Sequence, residues 1–170
     1  DNLIARFPDL FNYSRDAGSA TNIHIFLPIL KKSEVNTFLF IDKIRENPKY
    51  RHVRFIIPRM RDAKELDHYY YTDRTHIIKN KYGIFEPDPK QSQFRLDLIS
   101  LKLIDLIIVP LLCYNSNNHR IGYGGGMYDR FLSKCPNAYR VGVSLFPPEE
   151  KLKWKIDEWD IPLDCVIIGT

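Results

Sequence analysis

Short apolar runs alternate along this chain with stretches of helical spacing. Ile23 to Leu27 reads as a strand closed by Pro28. Beyond it, Val35, Phe38, Leu39, Ile41 and Ile44 recur at helical intervals, which predicts a helix that Ser33 can cap and Pro48 ends. Val53 to Ile57 predicts a second strand, stopped by Pro58. Leu66 to Thr72 is rich in β-favouring aromatics and predicts a strand with one wetter face. Leu103 to Val109 is apolar almost without interruption before Pro110, as suits a strand covered on both faces. A loop, a glycine-rich turn and a helix from about Met127 to Lys134 follow. Tyr139 to Leu145 and Cys165 to Ile168 predict two more strands, and Pro87 to Gln93 reads as a surface loop. The alternation implies one α/β domain over residues 1–170: three layers, with a mainly parallel sheet flanked by helices. The Leu103–Val109 strand should lie inside that sheet, its carboxyl end feeding the site.

Composition narrows the reading. With 170 residues against roughly 150 for a typical domain, one core is expected. No apolar run is long enough to span a membrane, and the acid-containing start lacks the apolar stretch of a signal peptide. A net charge of +4 permits an anionic ligand but is too weak to imply nucleic acid. Three widely spaced cysteines fit reduced thiols in a cytoplasmic protein better than a disulfide framework. The five histidines are scattered and read as ordinary surface or satisfied core residues.

One segment carries chemistry. Gly122, Gly124, Gly125 and Gly126 open the Met127 helix, with Arg120 before them and Arg130 after. Glycines leave backbone N–H groups uncovered, and such groups at a helix start can cradle an anion. The spacing is neither a Walker A loop nor a dinucleotide fingerprint, and a tight structural turn is the plain alternative. Asp129 falls in the first helical turn, where it complements the helix dipole. Beside a bound polyphosphate it would need a bridging Mg²⁺, which takes one or two carboxylates plus phosphate oxygens.

Ile107-Ile108-Val109-Pro110 followed by Arg120-Ile121-Gly122-Tyr123-Gly124-Gly125-Gly126-Met127-Tyr128-Asp129-Arg130-Phe131-Leu132 resembles the signature of the 5-formyltetrahydrofolate cyclo-ligase family. Ile25-Phe26-Leu27-Pro28, Glu34-Val35-Asn36-Thr37, Ile57-Pro58-Arg59, Gly83-Ile84-Phe85-Glu86-Pro87 and Asp160-Ile161-Pro162-Leu163-Asp164 agree in order, so the resemblance spans nearly the whole chain. It implies the scaffold also used by sugar-phosphate isomerases and CoA transferases. It further implies ATP- and Mg²⁺-dependent ring closure of 5-formyltetrahydrofolate to 5,10-methenyltetrahydrofolate, with no side-chain nucleophile. Carried over, Arg120, Ile121, Gly122, Tyr123, Gly124, Gly125, Gly126, Met127 and Tyr128 match the nucleotide loop. Tyr123, Gly124, Gly125, Gly126 and Met127, with Leu27 and Glu34, match folate contacts. Asp129 and Asp160 match metal ligands. Arg59 and Glu86 match recurring positions and are left structural. On sequence alone, Glu34 reads equally well as a first-turn helix acid, Asp160 as a surface turn acid, and Tyr123 and Tyr128 as half-buried core.

The sequence departs from the family in two places. The family's opening helix carries a Lys and an Arg, whereas this chain opens at Asp1-Asn2-Leu3-Ile4-Ala5-Arg6, which resembles the end of the following helix. Many relatives have Lys where Gly125 stands and Tyr where Met127 stands, so this loop holds less fixed positive charge. The resemblance implies a cytoplasmic monomer acting on small molecules, without membrane or nucleic-acid partners. The competing reading is a non-catalytic relative that binds RNA or another polyanion.

Overall fold

Alternation within the buried strands sets up the layers. The computed structural model describes residues 2–11, 20–29, 34–92, 94–151 and 155–169. In it, α1 (Asn2–Phe11) precedes β1 (Thr21–Ile25), α2 (Thr37–Glu46) and β2 (Val53–Met60). Then come β3 (Leu66–Tyr70), a hairpin of β4 (Ile77–Lys79) and β5 (Phe85–Pro87), and the one-turn α3 (Leu98–Leu101). β6 (Leu106–Val109) leads into a second hairpin, β7 (Cys113–Tyr114) and β8 (Arg120–Ile121), and then α4 (Met127–Ser133). A 3-10 turn (Pro48–Tyr50) joins α2 to β2, and β9 (Tyr139–Ser144) and β10 (Cys165–Ile168) are the last two strands.

The main sheet runs β10-β9-β6-β1-β2-β3, parallel throughout except for β3 against β2. Ile23 and Ile25, Leu106 and Ile108, Val141 and Val143 turn to one face, against Phe7 of α1 and Phe40 and Ile41 of α2. Ile56, Ile107 and Val109 turn to the other, against Phe131 and Leu132 of α4 and Leu101 of α3. This is the expected three-layer α/β arrangement, with β6 interior.

Several boundaries differ from the sequence reading. Ser33 lies outside the described residues; α2 begins at Thr37, capped by Asn36, whose side chain accepts the Phe38 N–H. Val35 and Glu34 therefore precede the helix, and Glu34 is not a first-turn acid. Leu39, periodic in sequence, is 60% exposed. Pro58 does not end β2. The β1 pairing stops at Ile56, so Pro58 sits where that side of the strand has no ladder to supply. β1 stops at Ile25, and β6 starts only at Leu106, because turns occupy residues 102–103. The four residues Leu66 to Tyr69 of β3 are all buried rather than alternating, since residues 94–96 cover its outer edge through Tyr70 N–H to Phe94 O and Leu96 N–H to His68 O. Pro87 belongs to β5, and both it and Asp88 are buried, so the expected loop begins later; Gln93 lies outside the described residues.

Gly142 of β9 marks a close approach. A Cβ there would stand 2.5 Å from Leu163 Cδ1 and 2.8 Å from Leu111 Cδ2. Gly142→Ala should lower unfolding stability by about 1–3 kcal/mol, the usual cost of overpacking. Chemical denaturation checks this, and a variant as stable as the parent would contradict the packing.

Candidate functional site

Because β1, β6 and β9 are parallel neighbours, their carboxyl ends meet at one edge, where α/β sheets place ligands. Phe26, Pro110, Ser144 and Phe146, each at or just beyond such an end, line a cleft there together with Glu34 and Tyr123. Leu27 follows Phe26 and is 3% exposed, packed into the α1–α2 face of the core.

Glu34 joins two segments across this cleft. Its Oε2 accepts the Ile29 N–H at 2.6 Å, and its Oε1 accepts the Tyr123 hydroxyl at 2.6 Å. Partial desolvation of the hydroxyl against the cleft, and then this carboxylate, push the Tyr123 pKa well up, so it remains a donor. The glycine-rich loop is thereby tied to the segment after β1, 89 residues away in sequence.

Gly124 and Gly126 adopt φ of 86° and 60°, which favours glycine at both positions. Gly126 is the residue before α4 and offers no side-chain cap. Gly125 abuts the β2–β3 turn, where a Cβ would stand 3.3 Å from the Ala63 carbonyl oxygen and 3.4 Å from Met127 Cε. Arg130 folds back from α4 and donates from Nη1 to the Gly125 carbonyl at 2.8 Å. Ile121, Gly122 and Tyr123 are exposed.

Arg120, by contrast, points inward. Its side chain is 5% exposed; Nη2 donates to Asp129 Oδ1 at 2.7 Å and Nη1 to the Ile161 carbonyl at 2.7 Å. Asp129 Oδ1 also accepts the Ile161 N–H at 3.2 Å. Arg120 and Asp129 therefore clamp the chain at Ile161, immediately after Asp160. Asp160 is exposed, and its Oδ2 accepts the Asp157 N–H. Asp129 and Asp160 are brought near through the chain at Ile161, without a bond between their side chains. Among the described residues, Oδ2 of Asp129 and Oδ1 of Asp160 accept no hydrogen bond, and no cluster of three or more His, Cys, Asp or Glu could hold a metal.

Beneath α4 lies a polar layer that the sequence reading missed. His24, fully buried, meets His68 Nδ1 through Nε2 at 3.1 Å, and Phe131 packs on both rings. The buried hydroxyl of Tyr128 makes no hydrogen bond among the described residues, and burial pushes its pKa up. Burial pushes the His68 pKa down to about 3, against the attraction of Asp67, while Lys134, Arg61 and Arg95 lower it further. His24 is lowered by burial and by His68. Unfolding frees both rings to take up protons near their ordinary value of 6.5. Stability should therefore fall as pH drops from about 6.5 toward 3. His68→Gln, which cannot protonate, should flatten part of that slope in denaturation across pH; identical slopes in parent and variant would contradict the assignment.

A mainly parallel α/β sheet with a glycine-rich loop tied across its carboxyl edge defines an α/β protein built around a ligand cleft. A sequence model of the 5-formyltetrahydrofolate cyclo-ligase family matches residues 12–169, and the chain belongs to that family. It is 28% identical over 100 residues to the 5-formyltetrahydrofolate cyclo-ligase of Haemophilus influenzae, covering 58% of this chain and 51% of that protein. With the Escherichia coli K12 protein of the same name it shares 31% identity over 99 residues, 57% of this chain and 52% of that one. The matched stretch thus spans about half the length of these curated relatives. The solved structure of Aquifex aeolicus 5,10-methenyltetrahydrofolate synthetase superposes with a TM-score of 0.65 at 25% identity, covering 88% of this chain and 69% of that one. The fold is also that of a Mycoplasma pneumoniae 5,10-methenyltetrahydrofolate synthetase, with a TM-score of 0.64 at 19% identity over 98% of this chain and 83% of that one.

Proposed function

We propose that this protein closes 5-formyltetrahydrofolate to 5,10-methenyltetrahydrofolate at the expense of ATP, releasing ADP and phosphate. The observation that supports the reading is the Tyr123–Glu34 hydrogen bond, which joins the glycine loop across the carboxyl-edge cleft to the acid that the resemblance assigns to the folate. A formyl oxygen is a poor leaving group and phosphate a good one. Phosphoryl transfer to that oxygen lets the second nitrogen attack the activated carbon and phosphate depart. Positioning and charge neutralisation then do most of the catalysis.

On this reading Arg120 to Tyr128 hold the nucleotide, with Arg120 acting through its grip on Asp129 and Ile161 rather than as an outward cation. Glu34 exchanges the Tyr123 hydroxyl for N–H groups of the pterin, whereas Leu27, buried in the core and outside the cleft lining, supports the segment after β1 rather than touching the folate. The open oxygens of Asp129 and Asp160 fit Mg²⁺, which is satisfied by one or two carboxylates and completes its shell with phosphate and water oxygens. When bound, Mg²⁺ neutralises phosphate charge. The partners are then small molecules, bound by a cytoplasmic monomer. The direct test is growth of methenyltetrahydrofolate absorbance with and without ATP in excess Mg²⁺; a folded preparation without ATP-dependent product overturns the reading.

Two variants separate the roles. Asp129→Asn should shift the Mg²⁺ midpoint upward and cut turnover, with partial recovery at excess Mg²⁺ through mass action. Because Asp129 also holds the buried Arg120 and the Ile161 N–H, the variant should lose more stability than the ~0.3–1 kcal/mol of a lone helix-end acid, so the shift of the Mg²⁺ midpoint, measured on folded protein, carries the assignment. Tyr123→Phe should leave the Mg²⁺ midpoint unchanged while altering the KM for the folate. An Asp129→Asn enzyme with the parent's rate and midpoint would refute the metal assignment.

A further inference from the structure

Asp67 opens the path of β3 at the carboxyl edge of β2, and its side chain is 6% exposed. Its Oδ1 accepts Arg61 Nε and Arg95 Nη2, each at 2.7 Å. Arg59 stands between two buried carboxylates, with Nη1 3.8 Å from Asp67 and Nε 3.8 Å from Glu86. Glu86 is already engaged by Asn80 Nδ2 at 3.0 Å. Two guanidinium groups would neutralise Asp67 and Glu86; three are gathered there. Arg59 Nε is buried and makes no hydrogen bond among the described residues, its ion pairs being longer than hydrogen-bonding distance. Arg61 and Arg95 are 48% and 53% exposed, and their remaining guanidinium N–H groups find no partner among the described residues. Glu65 and Asp62 also attract Arg61, but neither hydrogen-bonds its guanidinium: Glu65 pairs with Lys134 at 2.6 Å, and Asp62 accepts the Lys64 and Glu65 N–H groups. Charges of one sign held together with spare donors are stabilised by an added anion.

The location agrees. β2 runs parallel to β1, so Arg59 near its end shares the edge at which Phe26 lines the cleft. The turn that carries Arg61 also carries Ala63, whose carbonyl backs the glycine loop at Gly125. We propose that Arg59, Arg61 and Arg95, assembled on Asp67, form an oxyanion subsite that takes a carboxylate or phosphate of a ligand lying over the carboxyl edge. Asp67 acts as the positioning residue, fixing two guanidinium groups side by side. The identity of the anion's source rests on the function proposed above, because both of its substrates carry oxyanions: the glutamyl tail of the folate and the phosphates of ATP.

The experiment compares the parent with Arg61→Gln/Arg95→Gln and with Arg61→Lys/Arg95→Lys, each shown to fold by its melting curve. Calorimetry measures Kd for ATP and for 5-formyltetrahydrofolate bearing one and three glutamates, at low and high salt. The Gln pair should weaken one ligand about tenfold or more at low salt, with the gap narrowing as salt rises, and the Lys pair should regain part of it. Loss confined to the triglutamyl folate assigns the subsite to the tail, and loss confined to ATP assigns it to the phosphates. Unchanged affinities for all three ligands overturn it and leave the arginines as neutralisers of Asp67. If the parent binds neither substrate, the proposed function fails by itself. The shift in melting temperature on exchanging chloride for inorganic phosphate at equal ionic strength then decides: a shift lost in the Gln pair supports the subsite, and an equal or absent shift overturns it.

Discussion

The pairing of β6 with both β1 and β9 is the constraint on which the rest depends. β6 has only four residues, Leu106–Val109, all buried, and every one faces a parallel neighbour on at least one side. Parallel pairing forbids a short turn between these strands, so each must return through a crossover on one face or the other. It also makes their carboxyl ends coincide. Phe26, Pro110 and Ser144 reach the same cleft for that reason, although the sequence separates them widely. Gly142 sits where Leu111, leaving β6, and Leu163, approaching β10, both press on β9.

Along this edge charges are held in specific pairs rather than spread as a field. Arg120 is spent on Asp129 and the Ile161 carbonyl; Arg61 and Arg95 converge on Asp67; Glu34 holds the Ile29 N–H and the Tyr123 hydroxyl. Each pairing ties together segments distant or adjacent in sequence. Buried or half-buried pairs of this kind place groups more than they stabilise the fold, because desolvation offsets much of the attraction. The glycine loop illustrates the result. Its backbone is gripped by Arg130 on one side and backed by Ala63 on the other, while its Tyr123 reaches across the cleft.

The layer under α4 adds a different restraint. His24, His68 and the Tyr128 hydroxyl lie in low-dielectric surroundings around Phe131, and burial keeps the histidines neutral. The helix carrying Tyr128 and Asp129 therefore rests on a platform in which the His24–His68 hydrogen bond, if displaced, could not be replaced from water.

Much of this was legible in the sequence. Apolar runs ending at Pro110 and near Pro28 identified the interior strands, and the density of glycines between Arg120 and Met127 identified the loop, because both signals are local: burial on two faces demands unbroken apolar residues, and positive φ favours glycine. The family motif likewise singled out Glu34, Asp129 and Asp160. What the sequence alone left open was partnership. Glu34 read equally well as a folate contact and as a first-turn helix acid, and the Asn36 cap removes the second while Tyr123 takes the carboxylate. Arg120 read as a phosphate cation although its guanidinium turns inward to Asp129 and Ile161. His24 and His68 looked scattered, and Arg59, Arg61 and Arg95 carried no local pattern, because their meeting depends on the lateral order of β1, β2 and β3 and on residues 94–96 closing over β3. Periodicity records which face a residue takes; only the packed sheet decides which distant residue it finds there.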